Sequence, residues 1–463
     1  MAKISIDFAK PVGPMRPVHG VNAGPRTRQF KYDAVDLFRK AGIPYCRLHD
    51  VEYPFGCGEF VDMHCIFRNF DADEEDPASY NFFLTDHYIG ACYEAGAEVV
   101  YRLGESAQNS PLKIYSAPPK DFAKWARICE HIVRHYNEGW ADGYHWNVRY
   151  WEIWNEPDLG TDAMWTGTQE EYRDLYEITA RHLKACFPDI MIGGPANAGN
   201  TGKAVEFIRD IAKREAPLDF LSFHKYTCRI EVFRSMFEII EKELRENGFS
   251  RTEIHLNEWN YMEDWGKPAA SVRRIPTDRG AAFCAAALVT FQKMGLDVGN
   301  YFSAEASSEF CGLFEKTDRN PRRCHADVPV GGMGPMQQLR ARKPYYAFLG
   351  FGDLYRMGTE TESVSSVPHV YALAASDGKR YGAMLATYQY EIWEGRFPEQ
   401  AVCEESEVKL SGLPSGGSVI RVFLTDEGHN GECIRKIPCT EETASVSLPL
   451  HDDQIYYIEA ARP

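Results

Sequence analysis

The chain has 463 residues, 44% of them hydrophobic and 25% charged, with a formal net charge of −16. That length fits one large domain plus a smaller one, and the composition is that of an ordinary globular protein. The acidic balance, with no basic block, argues against nucleic acid and anionic membranes as partners, and no run reaches the ~18 apolar residues of a membrane span.

The first predicted element is ISIDFA (4–9), which alternates apolar and polar residues as a half-buried strand does. From about Pro17 to Tyr355 a different rhythm takes over: a short apolar strand, a polar loop, an amphipathic helix. The strands read as VHGVNAG (18–24), YCRLHD (45–50), AEVVYRLG (97–104), VRYWEIWNE (148–156), IMIGGPAN (190–197), DFLSFHKYT (219–227), TEIHLNEWN (252–260) and LDVGNYFSAE (296–305). Helical stretches separate them. TRQFKYDAVDLFRKAG stops at Gly42 as a helix C-terminus should, and DFAKWARICEHIVRHYNEGW places Phe122, Trp125, Ile128, Cys129, Ile132 and Tyr136 on one stripe. Eight strand–helix units predict a (β/α)8 barrel. A doubly wound sheet would need a glycine-rich first turn. None is present, and GGPANAGNTGKA (193–204) lacks a Ser or Thr after its Gly-Lys. Long insertions at about 51–79 and about 306–334 are expected to wall the catalytic face.

Beyond about Leu354, HVYALAASD, RYGAMLATYQ, EVKLSGL, SVIRVFLTD, ASVSLPL and QIYYIEAA alternate with period two between turn residues. They predict a small antiparallel β-sandwich, which ISIDFA is expected to join. The fold class is α/β: a TIM barrel over 15–350 with an accessory sandwich built from 1–14 and 351–463.

Chemistry concentrates at two strand ends. RYWEIWNEP runs an aromatic strand into Pro157, which cannot continue it, and leaves Glu156 at the carboxyl end. IHLNEWNY repeats the construction three βα units later with Asn257 and Glu258. On strands four and seven of one barrel, the two carboxylates are expected to face each other across its mouth. Such a pair cleaves a glycosidic bond when one is protonated to release the leaving alcohol and the other attacks the anomeric carbon. Arg47 on strand two and Tyr226 on strand six are expected to keep Glu258 charged. Glu156, beside Trp151 and Trp154 and near a negative Glu258, is expected to hold its proton to higher pH.

His131 and His135 have the spacing of a metal pair, but HIVRH has no Glu beside the first His and falls on an outer helix, so no metal is expected. Thirteen cysteines without CxxC pairs fit free thiols in a reducing compartment. Together with an opening MAKISIDFAKPVG that lacks an apolar leader core, they point to the cytoplasm. Trp154, Trp259, Tyr261 and Trp265 near strand ends, and Trp165 and Phe67 in loops, are candidates to stack on sugar faces.

The stretches HGVNAGP, RLHD, IFRNFDADEEDPASYNF, WEIWNEPD, DFLSFHKY and HLNEWN resemble glycoside hydrolase family 39, the β-xylosidase and α-L-iduronidase family, within the clan of (β/α)8 retaining glycosidases. The resemblance implies Glu156 as acid/base, Glu258 as nucleophile and Asn155 on the sugar 2-hydroxyl. It implies His224 and Tyr226 against nucleophile and substrate, Arg47 and His49 lining the sugar pocket, and Glu305 or Glu309 binding sugar hydroxyls. The implied activity is β-xylosidase-like release of terminal sugars from oligosaccharides or glycosides by double displacement, without a cofactor. A β-galactosidase, an α-L-arabinosidase, a transglycosidase and an inactive sugar-binding barrel are the alternatives. A small carbohydrate is the expected partner, and a homo-oligomer is compatible with the sequence.

Overall fold

In the computed structural model, eight parallel strands close into a barrel. The structure describes residues 2–25, 34–51, 60–108, 111–160, 163–304, 308–317, 338–390 and 403–462. The barrel strands are β2 (Gly20–Asn22), β3 (Tyr45–Leu48), β4 (Glu98–Leu103), β5 (Tyr150–Ile153), β6 (Met191–Asn197), β7 (Phe220–Tyr226), β8 (Glu253–Asn260) and β9 (Val298–Tyr301), each inside its predicted stretch. Period-two alternation divides their side chains. Outward-facing Leu48, Tyr101, Trp151, Ile192, Leu221 and Leu256 join one large core with the surrounding helices. Inward-facing Val100, Tyr150 and Phe220 form a separate apolar plug low in the barrel. Directly above that plug the lining turns polar, and the site begins there.

The helices follow their sequence signals. Helix Val35–Ala41 ends at Gly42 with φ of 63°, the left-handed conformation that glycine adopts without strain. Helix Phe122–Asn137 buries Trp125, Ile128, Cys129, Ile132 and Tyr136, with the Asp121 carboxylate accepting from Lys124 N–H at its start. His131 and His135 are both buried on that helix. Their Nδ1 atoms bond the carbonyls of Arg127 and Trp140, and His135 Nε2 reaches Asp86 at 3.0 Å.

Of the two insertions, residues 52–59, 306–307 and 318–337 lie outside the described residues. The part of the first around Asp62 and His64 docks onto the end of β4. Asp62 accepts from Arg102 and from Ser106, and His64 Nδ1 meets Glu105 at 2.5 Å. In the second, β10 (Phe314–Thr317) pairs antiparallel with β11 (Gln338–Ala341).

The remaining strands are β1 (Ala2–Pro14), β12 (Thr359–Ser365), β13 (Val370–Ser376), β14 (Tyr381–Thr387), β15 (Cys403–Ser411), β16 (Ser418–Thr425), β17 (Asn430–Cys439), β18 (Thr443–Leu450) and β19 (Gln454–Ala461). They form one mostly antiparallel sheet in the order β17-β16-β19-β14-β13-β12-β1-β15-β18. The N-terminal strand pairs antiparallel with β12 and parallel with β15, so both chain ends meet in this sheet. Ile420 from one end and Val446 from the other share a buried cluster with Ile6, Leu385 and Ile458. The sheet therefore folds over a single core, as a sandwich does.

Helix Asp278–Met294 lies between barrel and sheet and buries every residue from Gly280 to Gln292. At its first turn, Arg279 Nη1 pairs with Asp453 at 2.9 Å. Among the described residues, no helix is long and apolar enough to cross a membrane.

Candidate active site

Regular strand geometry would send neighbouring residues to opposite faces, yet both members of each Asn-Glu pair point into the barrel. At the end of β5, Trp154 and Glu156 take positive φ values of 71° and 45°. That left-handed backbone, costly for side-chain-bearing residues, breaks the alternation and lets Asn155 and Glu156 face inward together. In β8 a bulge does the same work. Phe223 pairs with Leu256 while His224 pairs with Glu258, so Asn257 is the extra residue and both it and Glu258 point into the barrel.

The two carboxylates meet. One oxygen of Glu156, one of Glu258 and a ring nitrogen of His224 all lie within 4.8 Å of one another. His224 Nδ1 is 2.6 Å from Glu156 Oε1 and 3.4 Å from Glu258 Oε2. Glu258 accepts from Arg47 Nη1 at 2.8 Å on one oxygen and from the Tyr226 hydroxyl at 2.8 Å on the other. His49 Nε2 stands 3.7 Å from the first of these oxygens.

Burial dominates the electrostatics. It pushes the Glu156 carboxyl up to about 7, against the opposing pull of the Arg47 guanidinium. It raises Glu258 as well, with His224 and Arg47 drawing it down and Glu156 adding to the rise. His224 falls to about 4 because burial disfavours its charged form, so the imidazole is neutral near pH 7. His49 is held well below the ordinary histidine value by burial and by Arg47.

Arg47 sits differently from the expectation. It is fully buried beneath the carboxylates rather than lining a sugar pocket. Its Nε donates to Glu152 Oε2 at 2.7 Å, Nη1 also reaches Asn22 Oδ1 at 3.1 Å, and Nη2 donates to Asn155 Oδ1 at 2.6 Å. That last bond orients the Asn155 amide. Its carbonyl is occupied from below, and its buried Nδ2 is left without a partner.

Trp259 requires a correction. It follows Glu258 and therefore points outward, fully buried among Phe233, Phe283, Phe291, Tyr301 and Phe348, where it cannot touch a ligand in the mouth. Trp154, Tyr261, Trp165 and Phe67 are likewise buried. Trp265 is the exception: it is 58% exposed, its ring lies 5.3 Å from that of Tyr226, and Phe310 stands 6.2 Å from both. Glu305 lies outside the described residues, and Glu309 is exposed beside Phe310.

Glu152 and Asn22 carry no expectation from the sequence, and Asn257, paired there with Glu258, has no role assigned. Glu152 and Asn22 hold Arg47, and Asn257 donates its amide to Glu152. The signal for Glu152 was available: a carboxylate on the inward face of the otherwise apolar YWEIW strand has to find a buried partner.

The model of the family "Glycosyl hydrolases family 39" matches residues 2–430. A β-xylosidase from Geobacillus stearothermophilus is 28% identical over 354 residues, covering 69% of this chain and 64% of that protein. A β-xylosidase from Caldicellulosiruptor saccharolyticus is 28% identical over 352 residues, covering 72% of this chain and 67% of that protein. The chain thus spans 64% and 67% of the lengths of these two relatives. Among solved structures, a glucosidase from Croceicoccus marinus superposes with a TM-score of 0.79 at 24% identity, covering 100% of this chain and 99% of that one. A monomeric β-xylosidase from Caulobacter crescentus gives 0.70 at 16% identity, with 100% of both chains covered. At these identities the structural likeness shows the fold.

Proposed function

The chain belongs to glycosyl hydrolase family 39, and from that membership we propose that it is a retaining, β-xylosidase-like hydrolase that releases terminal sugars from small glycosides or oligosaccharides. One observation carries the reading: oxygens of Glu156 and Glu258 lie within 4.8 Å of each other. Retaining enzymes hold their carboxyl pair about 5–5.5 Å apart, whereas inverting ones leave about 6.5–9.5 Å for a water.

Glu258 attacks the anomeric carbon, forming an ester as the glycosidic C–O bond breaks. Glu156 passes its proton to the departing oxygen, which leaves as an alcohol. Glu156, now ionised, takes a proton from water, whose oxygen attacks the same carbon and frees Glu258. The Asn155 Nδ2–H, unpartnered and aimed by Arg47, supplies a donor for the sugar 2-hydroxyl, an interaction that strengthens in the transition state. Tyr226 steadies the nucleophile, neutral His224 links the two carboxyls, and Trp265 offers an exposed face for a sugar ring. The cysteines with described side chains are free thiols, which supports a cytoplasmic location with small glycosides as substrates.

The test is Glu258→Ala with aryl β-xyloside, β-galactoside, α-L-arabinoside and α-L-iduronide substrates. Turnover should vanish and return with azide, giving a glycosyl azide of inverted configuration. Persisting activity without azide removes Glu258 from the nucleophile's role, and a wild-type enzyme inert toward the whole panel removes the hydrolase reading. Adding an acceptor alcohol separates hydrolysis from transfer.

A further inference from the structure

Glu152 lies one layer below the carboxylates and is fully buried. Its Oε2 accepts from Nε of Arg47 at 2.7 Å and pairs with Nη2 at 2.7 Å, and its Oε1 accepts from the Asn257 amide. Arg47 therefore serves two carboxylates at once: Glu152 through one edge of its guanidinium, and Glu258 through Nη1 at 2.8 Å. A fully buried guanidinium shared in this way gives each carboxylate only part of its charge. Asn22 and Asn155 accept from Arg47 without charge, so without a second carboxylate the cation would be balanced by Glu258 alone. A carboxylate in an undivided ion pair is a poorer nucleophile, because its electron density is already engaged.

We infer that Glu152 is a positioning residue for Glu258: it anchors Arg47 from below, divides that cation's charge, and leaves Glu258 free enough to attack the anomeric carbon. The inference rests on the hydrolase reading above but assigns a role to a residue that touches no substrate. Asn257 belongs to the same device. Its amide bonds Glu152, its own backbone carbonyl accepts from Asn22 Nδ2 at 2.7 Å, and it forms the bulge that turns Glu258 inward. One carboxylate thus fixes both the counter-ion of Glu258 and the residue preceding it.

The discriminating variant is Glu152→Gln, which keeps shape and hydrogen bonding but removes charge. The buried Asn257 Oδ1 has no partner, so that amide can flip to accept from the new Gln. The groups that face Glu258 are Arg47, His49 and Asp50 from the β3 end, Glu156 from the β5 end, and His224 and Tyr226 from β7. All stay in place in the variant, so any change in Glu258 titration traces to Glu152. Enzyme labelled with [13Cδ]glutamate gives the Glu258 carboxyl signal, identified by its loss in Glu258→Gln, and needs no turnover.

In Glu152→Gln the Glu258 titration should move to lower pH by about one unit. The acidic limb of kcat/KM should follow it, and kcat should drop on the order of tenfold with KM little changed. Glu152→Ala, which also frees Arg47 to swing, should lose far more, and Glu152→Asp should recover part of that loss. A folded Glu152→Gln enzyme whose Glu258 signal and pH profile match wild type overturns the inference. A shifted Glu258 signal in Glu152→Gln, with wild-type enzyme inert toward every glycoside, sustains the division of Arg47's charge by Glu152 and overturns the hydrolase reading instead.

Discussion

Glu156 is the residue whose environment makes the most direct statement about rate and stability. Burial holds its carboxyl at about 7, so the proposed general acid loses its proton as pH rises through that value. The kcat/KM of a substrate with a poor leaving group should therefore fall above about pH 7, and Glu156→Gln should abolish that basic limb. Stability follows from the same shift. The unfolded chain releases this proton near the ordinary value of 4.5, whereas the folded chain keeps it to about 7. Between those values the native state binds more protons, so stability declines as pH rises, by as much as about 3 kcal/mol once pH exceeds both. Glu156→Gln should raise Tm at pH 8 and change it little at pH 4, as followed by circular dichroism. Equal gains at both would show that the carboxyl is not held protonated.

At the scale of elements, β8 places chemistry and packing on successive residues. Glu258 faces the mouth and Trp259 the helices. Trp259→Ala should cost about 3–5 kcal/mol in urea unfolding, as large aromatic deletions from cores do. Trp265→Ala at the rim should leave stability within about 0.5 kcal/mol and raise KM instead. The reverse pattern would exchange their roles. The same strand shows what a linear reading can reach. Both glutamates were visible because each closes an apolar strand as an Asn-Glu pair beside tryptophan, and all eight barrel strands were visible from their spacing with helices. The facing of individual side chains was not, since the left-handed residues at Trp154 and Glu156 and the bulge at Asn257 are departures from period two that no local pattern announces. Trp259 was misjudged for that reason. Two sheet strands went unread for another. TETESVS in β12 carries little apolar signal, and β17 lies at the sheet edge with most of its residues exposed. Backbone pairing, with the neighbouring hairpin strand β16 for β17 and with β1 and β13 for β12, rather than their own composition, makes them strands.

At the scale of the molecule, barrel and sheet are joined by more than a linker. Helix Asp278–Met294 meets Trp259 through Phe283 and Phe291 on one side and strands β13, β14 and β19 on the other. The first strand of the chain closes the sheet between β12 and β15. Urea unfolding should therefore be a single transition, with tryptophan fluorescence and far-ultraviolet dichroism superimposing; two separated midpoints would show independent parts. For anyone building chimaeras between related enzymes, the buried helix sets where the chain can be cut. A transplant cut near residue 350, within helix Lys343–Met357, would leave an oily, alanine-lined rod without its matching cover. Donor pieces should instead carry this helix, the closing strands and the N-terminal ribbon as one inherited block.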